Sequence, residues 1–276
     1  MPIITISHSA FGAGRELAER VASVLDHPCI SRELLIEASK LYGIPETSFS
    51  EVLETEPHWW KRWRENLRLY KIALRAAMCE LAQNGKLVYH GHAGQEFFTG
   101  VSHVLRVLLT APMEYRLEQV RLRKGLGEQE ARDFLEETDR IRAHRLKAIF
   151  GADWRDPSRY DLVLNIFRMN LETAAELVIE TSQKQEFQPT AESLQAFRDL
   201  TITTRVQAAL VMSPKTRDLD ITVDTKQGEV SLYGLLSQPE LEEKVMRLAG
   251  GVPGVGKVIP NFISRSRALA SLRARE

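Results

Sequence analysis

The sequence predicts an α/β protein with a mostly parallel sheet and helices on both faces, followed by a small α+β domain. Short apolar runs alternate with amphipathic helical segments over the first two thirds of the chain, which is typical of parallel sheets. A polar stretch that contains a proline then interrupts this alternation. Beyond it the predicted order becomes helix, strand, strand, helix, strand. We therefore expect a first domain over residues 1–185, a linker over 186–196, a second domain over 197–264 and a basic tail over 265–276.

Hydrophobic periodicity marks the strands and helices of the first domain. Apolar runs bounded by turn residues predict strands at residues 3–6, 87–90, 104–110 and 161–165. Apolar residues at helical spacing predict helices at residues 15–25, from Ser31 onward, and at 59–83, 112–123, 128–149 and 171–185. Because these strands and helices alternate, we expect the strands to run parallel to one another.

The second domain has a different pattern. Apolar residues at helical spacing predict helices at residues 199–212 and 241–248. Between them, alternating apolar and polar residues predict two strands, 219–224 and 230–232, which flank the turn Lys226-Gln227-Gly228. We expect these strands to form an antiparallel hairpin with one face exposed to water. A last strand is predicted at residues 255–263.

The composition argues against several classes of protein. The chain has 276 residues, 43% apolar and 27% charged, with 37 basic and 37 acidic side chains, as in ordinary soluble globular proteins. This balance gives no overall attraction to nucleic acid, so we expect no nucleic-acid partner. No apolar run reaches ~18 residues, so we expect no transmembrane segment. The start lacks a secretory signal, and Cys29 and Cys79 lack metal-ligand spacing, so a cytoplasmic protein without a structural metal is expected.

A small-residue loop joins the first strand to the first helix. Backbone N–H groups and the positive end of a helix meet at such a loop, which makes it suitable for a phosphate group. The usual signature, G-x-x-x-x-G-K-[ST], corresponds here to the run from Ser9 to Glu16. Three of its four key positions deviate, at Ser9, Arg15 and Glu16. Arg15 can still bind phosphate, whereas Glu16 could reach Mg²⁺ only through its carboxylate. A plain strand-to-helix turn remains the alternative.

Six segments together resemble the cytidylate kinase-like family. The first is Ile4-Thr5-Ile6-Ser7 followed by Phe11-Gly12-Ala13-Gly14-Arg15-Glu16-Leu17-Ala18. The others follow in the family's order: Ser31–Leu34, Val88–Gly94, Thr110–Arg116, Thr138–Arg140 and Asp153–Asn165. The resemblance covers residues 3 to 180, and it implies a P-loop kinase-like fold and transfer of phosphate from ATP, with Mg²⁺, to CMP or dCMP.

The resemblance also implies roles for individual residues in the matched segments. The implied ATP-binding residues are Ser9, Phe11, Gly12, Ala13, Gly14, Arg15 and Glu16. The implied catalytic residues are Arg15, Arg140, Arg145 and Asp139, because phosphoryl transfer depends mainly on positioning and on neutralising charge. The implied substrate-binding residues are Arg32, His90, Gly91, His92 and Arg116.

Some of these residues have ordinary alternatives. Asp139 could orient an arginine or hold a water molecule near Mg²⁺, or it could form a local ion pair with Arg140 or Arg142. Arg142 and Arg145 share one helix face by their spacing. A charge-rich helix face is often merely solvated. The histidines around Gly91 follow a buried strand, where α/β proteins contact ligands, and without a third ligand in the sequence zinc is not expected.

Residues 197–264 resemble a BON domain. The similarity lies in the predicted αββαβ order, in Val230-Ser231-Leu232-Tyr233-Gly234, and in Val252–Val258 leading to Asn261. It implies a binding or regulatory module with a protein or lipid partner. The resemblance leaves a homo-oligomer open as well.

Two other functions compete with the kinase. The deviations at Ser9, Phe11 and Glu16, and the histidines 8 and 92 where many family members have arginine, favour a nucleotide-binding sensor that no longer transfers phosphate. A structural interaction protein, in which the loop is only a turn, is the third hypothesis. Ligand-induced stabilisation and turnover distinguish the three.

Overall fold

The computed structural model describes residues 2–31, 33–48, 60–91, 93–236 and 238–263, with residues 60–66 described by their backbone alone. These residues form two compact units, which divide between Ser193 and Leu194. No helix within the described ranges is long and apolar enough to cross a membrane. The predicted basic tail at 265–276 lies outside the described residues.

The first unit is built on a five-stranded parallel sheet. Its strands are β1 (Ile3–His8), β2 (Cys29–Ile30), β3 (Leu87–His90), β4 (Val104–Thr110) and β5 (Leu162–Asn165), in the order β2-β3-β1-β4-β5. The predicted parallel α/β class is confirmed. Only β2 has no counterpart among the predicted strands, because two residues are too few for a periodic pattern. Ile6 of β1 pairs with His90, which brings the carboxyl ends of β1 and β3 together.

Helices connect the strands of this sheet. They are α1 (Gly14–Leu25), α2 (Glu33–Tyr42), α3 (Trp60–Leu81), α4 (Gly94–Phe97), α5 (Met113–Lys124), α6 (Glu128–Phe150) and α7 (Leu171–Ser182). The predicted helices are present. Helix α4 was not predicted, because four residues are too few to show a helical period. Short 3₁₀ turns occupy Pro157–Arg159 and Gln185–Phe187.

The two faces of the sheet are packed differently. Ile4 and Ile6 lie on the face covered by α1 and α7, within one cluster of buried apolar side chains. Thr5 and Tyr89 point to the opposite face, since side chains alternate along a strand. On that face α4 approaches closely, because a Cβ atom added to Gly94 would lie 2.9 Å from Thr5 Cβ. Burying a large aliphatic side chain contributes about 1.5–3 kcal/mol to stability. The packing of α1 on Ile4 and Ile6 therefore holds the start of this helix at the end of β1.

The second unit has the αββαβ order expected of it. Its elements are α8 (Ala191–Met212), β6 (Ile221–Lys226), β7 (Glu229–Leu235), α9 (Pro239–Gly250) and β8 (Lys257–Ile263). β6 and β7 pair antiparallel, whereas β7 and β8 pair parallel. The N–H groups of Gln227 and Gly228 in the hairpin turn both donate to Asp199 of α8, at 2.9 Å each. Asp199 therefore ties the first helix of this unit to its hairpin.

Helix α8 begins at Ala191, eight residues before the predicted start at Asp199. Thr190 and Ser193 exchange hydrogen bonds: the Thr190 N–H donates to Ser193 Oγ at 2.9 Å, and the Ser193 N–H donates to Thr190 Oγ1 at 3.1 Å. This reciprocal cap stabilises a first turn that has little apolar periodicity. Residues 191–196 are thus helical, although they were predicted as part of a linker.

A cut after Gln188 should separate two fragments that each fold. Gln188 Nε2 donates to the Ser182 carbonyl at 2.8 Å, so the first fragment keeps this contact, while the second keeps the Thr190–Ser193 cap. We expect fragments 1–188 and 189–276 each to show native-like circular dichroism and a cooperative thermal transition. Loss of the cooperative transition in fragment 1–188 would contradict the proposed boundary.

Candidate active site

The loop between β1 and α1 has an unusual backbone. Phe11 and Ala13 adopt left-handed conformations, with φ of 57° and 56°. Such conformations cost non-glycine residues roughly 1–2 kcal/mol each, and they persist where the surroundings enforce them. Between them, the Gly12 N–H donates to the Ser9 carbonyl at 3.0 Å. Where left-handed residues alternate with others just before a helix begins, successive backbone N–H groups point into one concavity.

The carbonyl groups of this loop are held by donors. The Ala10 carbonyl accepts a hydrogen bond from Arg116 Nε at 2.8 Å, and the His8 carbonyl lies 3.4 Å from Arg142 Nη1. At the start of α1 the first intrahelical bond runs from the Leu17 N–H to the Ala13 carbonyl. The N–H groups of Gly14 and Arg15 precede that bond and can serve a ligand. The loop therefore offers donors where an anion would lie.

The hydroxyl of Ser9 adds a further polar group inside the loop. Ser9 is 5% exposed, and its Oγ has no hydrogen-bond partner among the described residues. A Cβ atom on Gly12 would lie 2.6 Å from this oxygen, so the loop closes tightly over Ser9. Because buried hydroxyl groups are normally hydrogen-bonded, a phosphate oxygen in the loop would satisfy it.

The side chains of Arg15 and Glu16 lie outside the concavity. Arg15 Nε contacts Glu19 Oε1 at 2.7 Å, and the arginine side chain is 73% exposed. The Glu16 carboxylate accepts from Arg123 Nη2 at 2.8 Å. Partial burial would raise the pKa of Glu16, but hydrogen bonds from its own backbone and from Arg123 outweigh burial and lower it. Glu16 is therefore anionic and could reach Mg²⁺ only by leaving Arg123.

Arg116 and Asp139 form a largely buried ion pair beneath the loop. Arg116 Nη2 lies 2.7 Å from Asp139 Oδ2, and the two side chains are 7% and 21% exposed. The same guanidinium also binds the Ala10 carbonyl. The resemblance implied that Arg116 contacts substrate, whereas the structure places it against the loop backbone. Asp139 forms an ion pair, as one sequence hypothesis proposed, but with Arg116 rather than with a neighbour on α6.

Three of the four arginines of α6, Arg140, Arg142 and Arg145, differ in their surroundings. Both Nε and Nη2 of Arg140 contact the Glu137 carboxylate at 2.7 Å, on the exposed surface of the helix. Arg145 is 2% exposed and belongs to the buried face of α6. Arg142, which the sequence did not single out as a site residue, reaches the loop at His8. The sequence feature that could have identified Arg142 is its spacing from Arg145, which places both residues on one face of the helix.

Apolar contacts also fix the loop to the α5–α6 hairpin, residues Met113–Phe150. Ala10 is 2% exposed and belongs to a cluster with Leu117 and Leu135. The ring of Phe11 packs against that of Phe134, edge to face, with 5.9 Å between centroids. Phe11 therefore anchors the loop to the hairpin in a left-handed conformation that glycine usually adopts.

The carboxyl end of β3 brings His90 close to the loop. The rings of His8 and His90 have centroids 6.2 Å apart. A Cβ atom on Gly14 would lie 2.1 Å from His8 Cγ, so only glycine fits at the start of α1. Burial lowers the pKa of His8 to about 4 and also lowers the pKa of His90. Both imidazoles are therefore neutral near pH 7.

Gly91, another of the predicted substrate-binding residues, lies next to His90 at the carboxyl end of β3. The Gly91 N–H donates to the Ile6 carbonyl at 3.1 Å, so Gly91 continues the sheet beside the loop. Arg32 and His92 lie outside the described residues. Within the described part of the chain, no group of three or more histidine, cysteine, aspartate or glutamate residues is arranged to hold a metal ion.

Comparison with known proteins identifies relatives of both units. Residues 3–167 match the model of the Cytidylate kinase-like family, and residues 198–265 match that of the BON domain. The chain is similar to cytidylate kinase of Methanopyrus kandleri, with 35% identity over 97 residues, which are 32% of this chain and 50% of that protein. It is also similar to cytidylate kinase of Pyrobaculum aerophilum, with 26% identity over 181 residues, which are 65% of this chain and 92% of that protein.

A solved structure shows a similar fold. An uncharacterised protein from Eubacterium ventriosum aligns with a TM-score of 0.52 and 18% identity. The alignment covers 66% of this chain and 97% of that one. At this identity the likeness concerns the fold alone.

Replacing Arg116 should destabilise the protein through the loop. In Arg116→Met the Ala10 carbonyl loses its donor and the Asp139 carboxylate loses its ion-pair partner, which should lower the free energy of unfolding by about 2 kcal/mol. Urea denaturation measures this loss. The control is Arg155→Met, which removes an exposed contact with Asp153 and should leave the unfolding curve unchanged. Equal effects of the two substitutions would contradict the anchoring role of Arg116.

Proposed function

Since the chain belongs to the cytidylate kinase-like family, we propose that it is an ATP-dependent kinase that phosphorylates a pyrimidine nucleoside monophosphate, CMP or dCMP. The observation that supports this proposal most is the loop from Ser9 to Ala13, in which Arg116 binds the Ala10 carbonyl while the N–H groups of Gly14 and Arg15, at the start of α1, remain available to a ligand. The choice of CMP or dCMP rests on the curated relatives, which are named cytidylate kinases.

In the proposed reaction the loop holds the phosphates of ATP. The N–H groups of Gly14 and Arg15 begin α1, where the helix macrodipole favours negative charge. The Ser9 hydroxyl supplies one more donor from inside the loop. Mg²⁺, when bound, would neutralise part of the phosphate charge. Glu16 is the loop carboxylate that could contact the ion directly or through water, after it has left Arg123.

Arginines supply the remaining positive charge in this proposal. Arg142 of α6 contacts the loop through the His8 carbonyl. Arg145 lies one turn further along α6, while Arg15 and Arg140 are held in exposed pairs with Glu19 and Glu137. Exposed pairs are weak, so a bound phosphate can draw Arg15 or Arg140 away from its carboxylate. Such neutralisation stabilises the transition state of phosphoryl transfer.

The acceptor nucleotide is proposed to bind at the carboxyl end of β3. His90 and Gly91 lie there beside the end of β1, and ligands of parallel α/β sheets bind outside the carboxyl ends of the strands. Arg32 and His92 are proposed to contact the acceptor from neighbouring positions in the sequence. The second domain is proposed to bind a regulatory partner, a protein or a lipid, and the chain to act in the cytoplasm.

A nucleotide sensor without phosphoryl transfer is the second candidate. The contact between Glu16 and Arg123 favours the sensor. Glu16 stands at the position where the usual loop signature has the hydroxyl residue that binds Mg²⁺. In this structure its carboxylate is already paired with an arginine. The sensor should bind ATP without turnover, whereas the kinase should show both.

A phosphoryl-transfer assay with ATP, Mg²⁺ and each nucleoside monophosphate tests the proposal. We expect turnover with CMP or dCMP, and a rise in melting temperature with the same nucleotides. Gly12→Ala should lower kcat/KM at least about tenfold, which is ~1.4 kcal/mol of transition-state stabilisation, because the new methyl group collides with Ser9.

The matched control carries the same substitution away from the loop. In Gly250→Ala the added Cβ has its nearest contact at 3.8 Å, with a side-chain carbon of Val258, and activity should be unchanged. Arg142→Gln should lower kcat, and Arg15→Ala reports whether Arg15 leaves Glu19 during the reaction. Stabilisation by ATP without turnover would favour the sensor. A protein that shows no turnover and no stabilisation by these nucleotides would contradict both proposed functions.

A further inference from the structure

Helix α5 directs a second arginine, besides Arg116, toward the glycine loop, which runs from Ser9 to Ala13. Arg116, Val120 and Arg123 are spaced four and three residues apart, so they share one face of the helix. Arg116 binds the Ala10 carbonyl, and Val120 is completely buried in the cluster that contains Ala10. This face of α5 is therefore fixed against the loop, and Arg123 lies on it in the last turn of the helix.

Arg123 and the start of α1 hold the same carboxylate. The Glu16 carboxylate accepts one hydrogen bond from Arg123 Nη2, at 2.8 Å, and another from its own backbone N–H. That N–H belongs to the first turn of α1 and precedes the first intrahelical bond, from the Leu17 N–H to the Ala13 carbonyl. A guanidinium and an N–H at a helix N-terminus are both donors that suit phosphate oxygens. In this structure an anion of the chain itself uses both of them.

Two neighbouring features indicate that an external anion also binds at this place. The Ser9 hydroxyl is 5% exposed and has no hydrogen-bond partner among the described residues, so the loop retains a buried donor for a ligand. Arg15 stands at the lysine position of the usual signature, but its side chain makes an exposed contact with Glu19. Arg123 therefore brings to the start of α1 the positive charge that Arg15 directs elsewhere.

The contact between Arg123 and Glu16 can be exchanged at little cost. The two side chains are 52% and 42% exposed, and exposed ion pairs contribute little to stability. A phosphate group carries more negative charge than a carboxylate, and its oxygens accept two parallel hydrogen bonds from a guanidinium. An incoming phosphate can therefore take Arg123 from the carboxylate without moving α5, whose position depends on Arg116 and Val120.

We propose that Arg123 is a phosphate-binding residue of the nucleotide site and that the Glu16 carboxylate competes with the phosphates of ATP for it. Before the nucleotide binds, Glu16 holds Arg123 and reduces the positive charge beside α1. When a phosphate group takes Arg123, the carboxylate is released and becomes available to Mg²⁺. This inference rests on the nucleotide site of the proposed function but not on phosphoryl transfer, because it concerns binding alone.

The affinity of the full-length protein for ATP in the presence of EDTA, measured by isothermal titration calorimetry, tests this role of Arg123 without Mg²⁺. Arg123→Gln should weaken ATP binding about tenfold, the loss expected for one charge-assisted hydrogen bond. The control Arg121→Gln removes an exposed arginine from the same turn of α5 and should bind ATP as the wild type does. Equal affinities of the wild type and Arg123→Gln, or equal losses in the two variants, would overturn the inference.

A double-mutant cycle separates competition from simple repulsion between Glu16 and ATP. Glu16→Gln should tighten ATP binding about two- to fivefold, because an exposed ion pair no longer has to be broken. If the carboxylate competes for Arg123, this gain should disappear in the double variant Glu16→Gln/Arg123→Gln. A gain that persists in full in the double variant would show that Glu16 only repels ATP, which would contradict the competition.

The same titrations distinguish failure of this inference from failure of the proposed kinase. Wild-type protein that binds ATP without phosphorylating CMP or dCMP would contradict the kinase alone, and a tenfold loss in Arg123→Gln would still support the role of Arg123. Wild-type protein that binds no ATP, with or without Mg²⁺, would overturn both.

Discussion

The candidate active site depends on the Arg116 guanidinium beneath the glycine loop. It donates to the Ala10 carbonyl at 2.8 Å and contacts the Asp139 carboxylate at 2.7 Å. One side chain thus joins the loop to α5, on which it lies, and to α6. With a carbonyl held on the outer side of the loop, the N–H groups at the start of α1 can face a ligand. An anion site made of backbone requires this separation of donors from acceptors.

The α5–α6 hairpin reinforces the same arrangement. Phe11 packs on Phe134, Arg142 reaches the His8 carbonyl, and Arg123 holds Glu16. The loop conformation and the position of the hairpin are therefore coupled, and the left-handed backbone of Phe11 and Ala13 is stabilised by packing rather than by glycine. This coupling explains how the chain can keep a phosphate-type loop although Ser9, Arg15 and Glu16 depart from the usual signature.

The sequence predicted most of the sheet because its strands are apolar runs that periodicity detects. It missed β2 and α4, which have two and four residues, and the first two turns of α8, which begin at a Thr190–Ser193 cap. The site was harder to predict than the fold. Arg116 and Ala10 are 106 residues apart in sequence, and no local pattern shows that a guanidinium will bind a distant carbonyl. The spacing of Arg142 and Arg145 indicated a shared face but not which arginine reaches the loop.

The most direct test of the account is the ¹H–¹⁵N spectrum of the backbone during titration with Mg²⁺ and a non-hydrolysable ATP analogue. We expect the amide resonances of Gly14 and Arg15 to move downfield and to saturate, because their N–H groups would donate to phosphate oxygens. In Arg116→Met this response should weaken, while the amides in the middle of α1 keep their wild-type positions. Unchanged Gly14 and Arg15 resonances at saturating nucleotide would contradict the claim that the loop is a phosphate site.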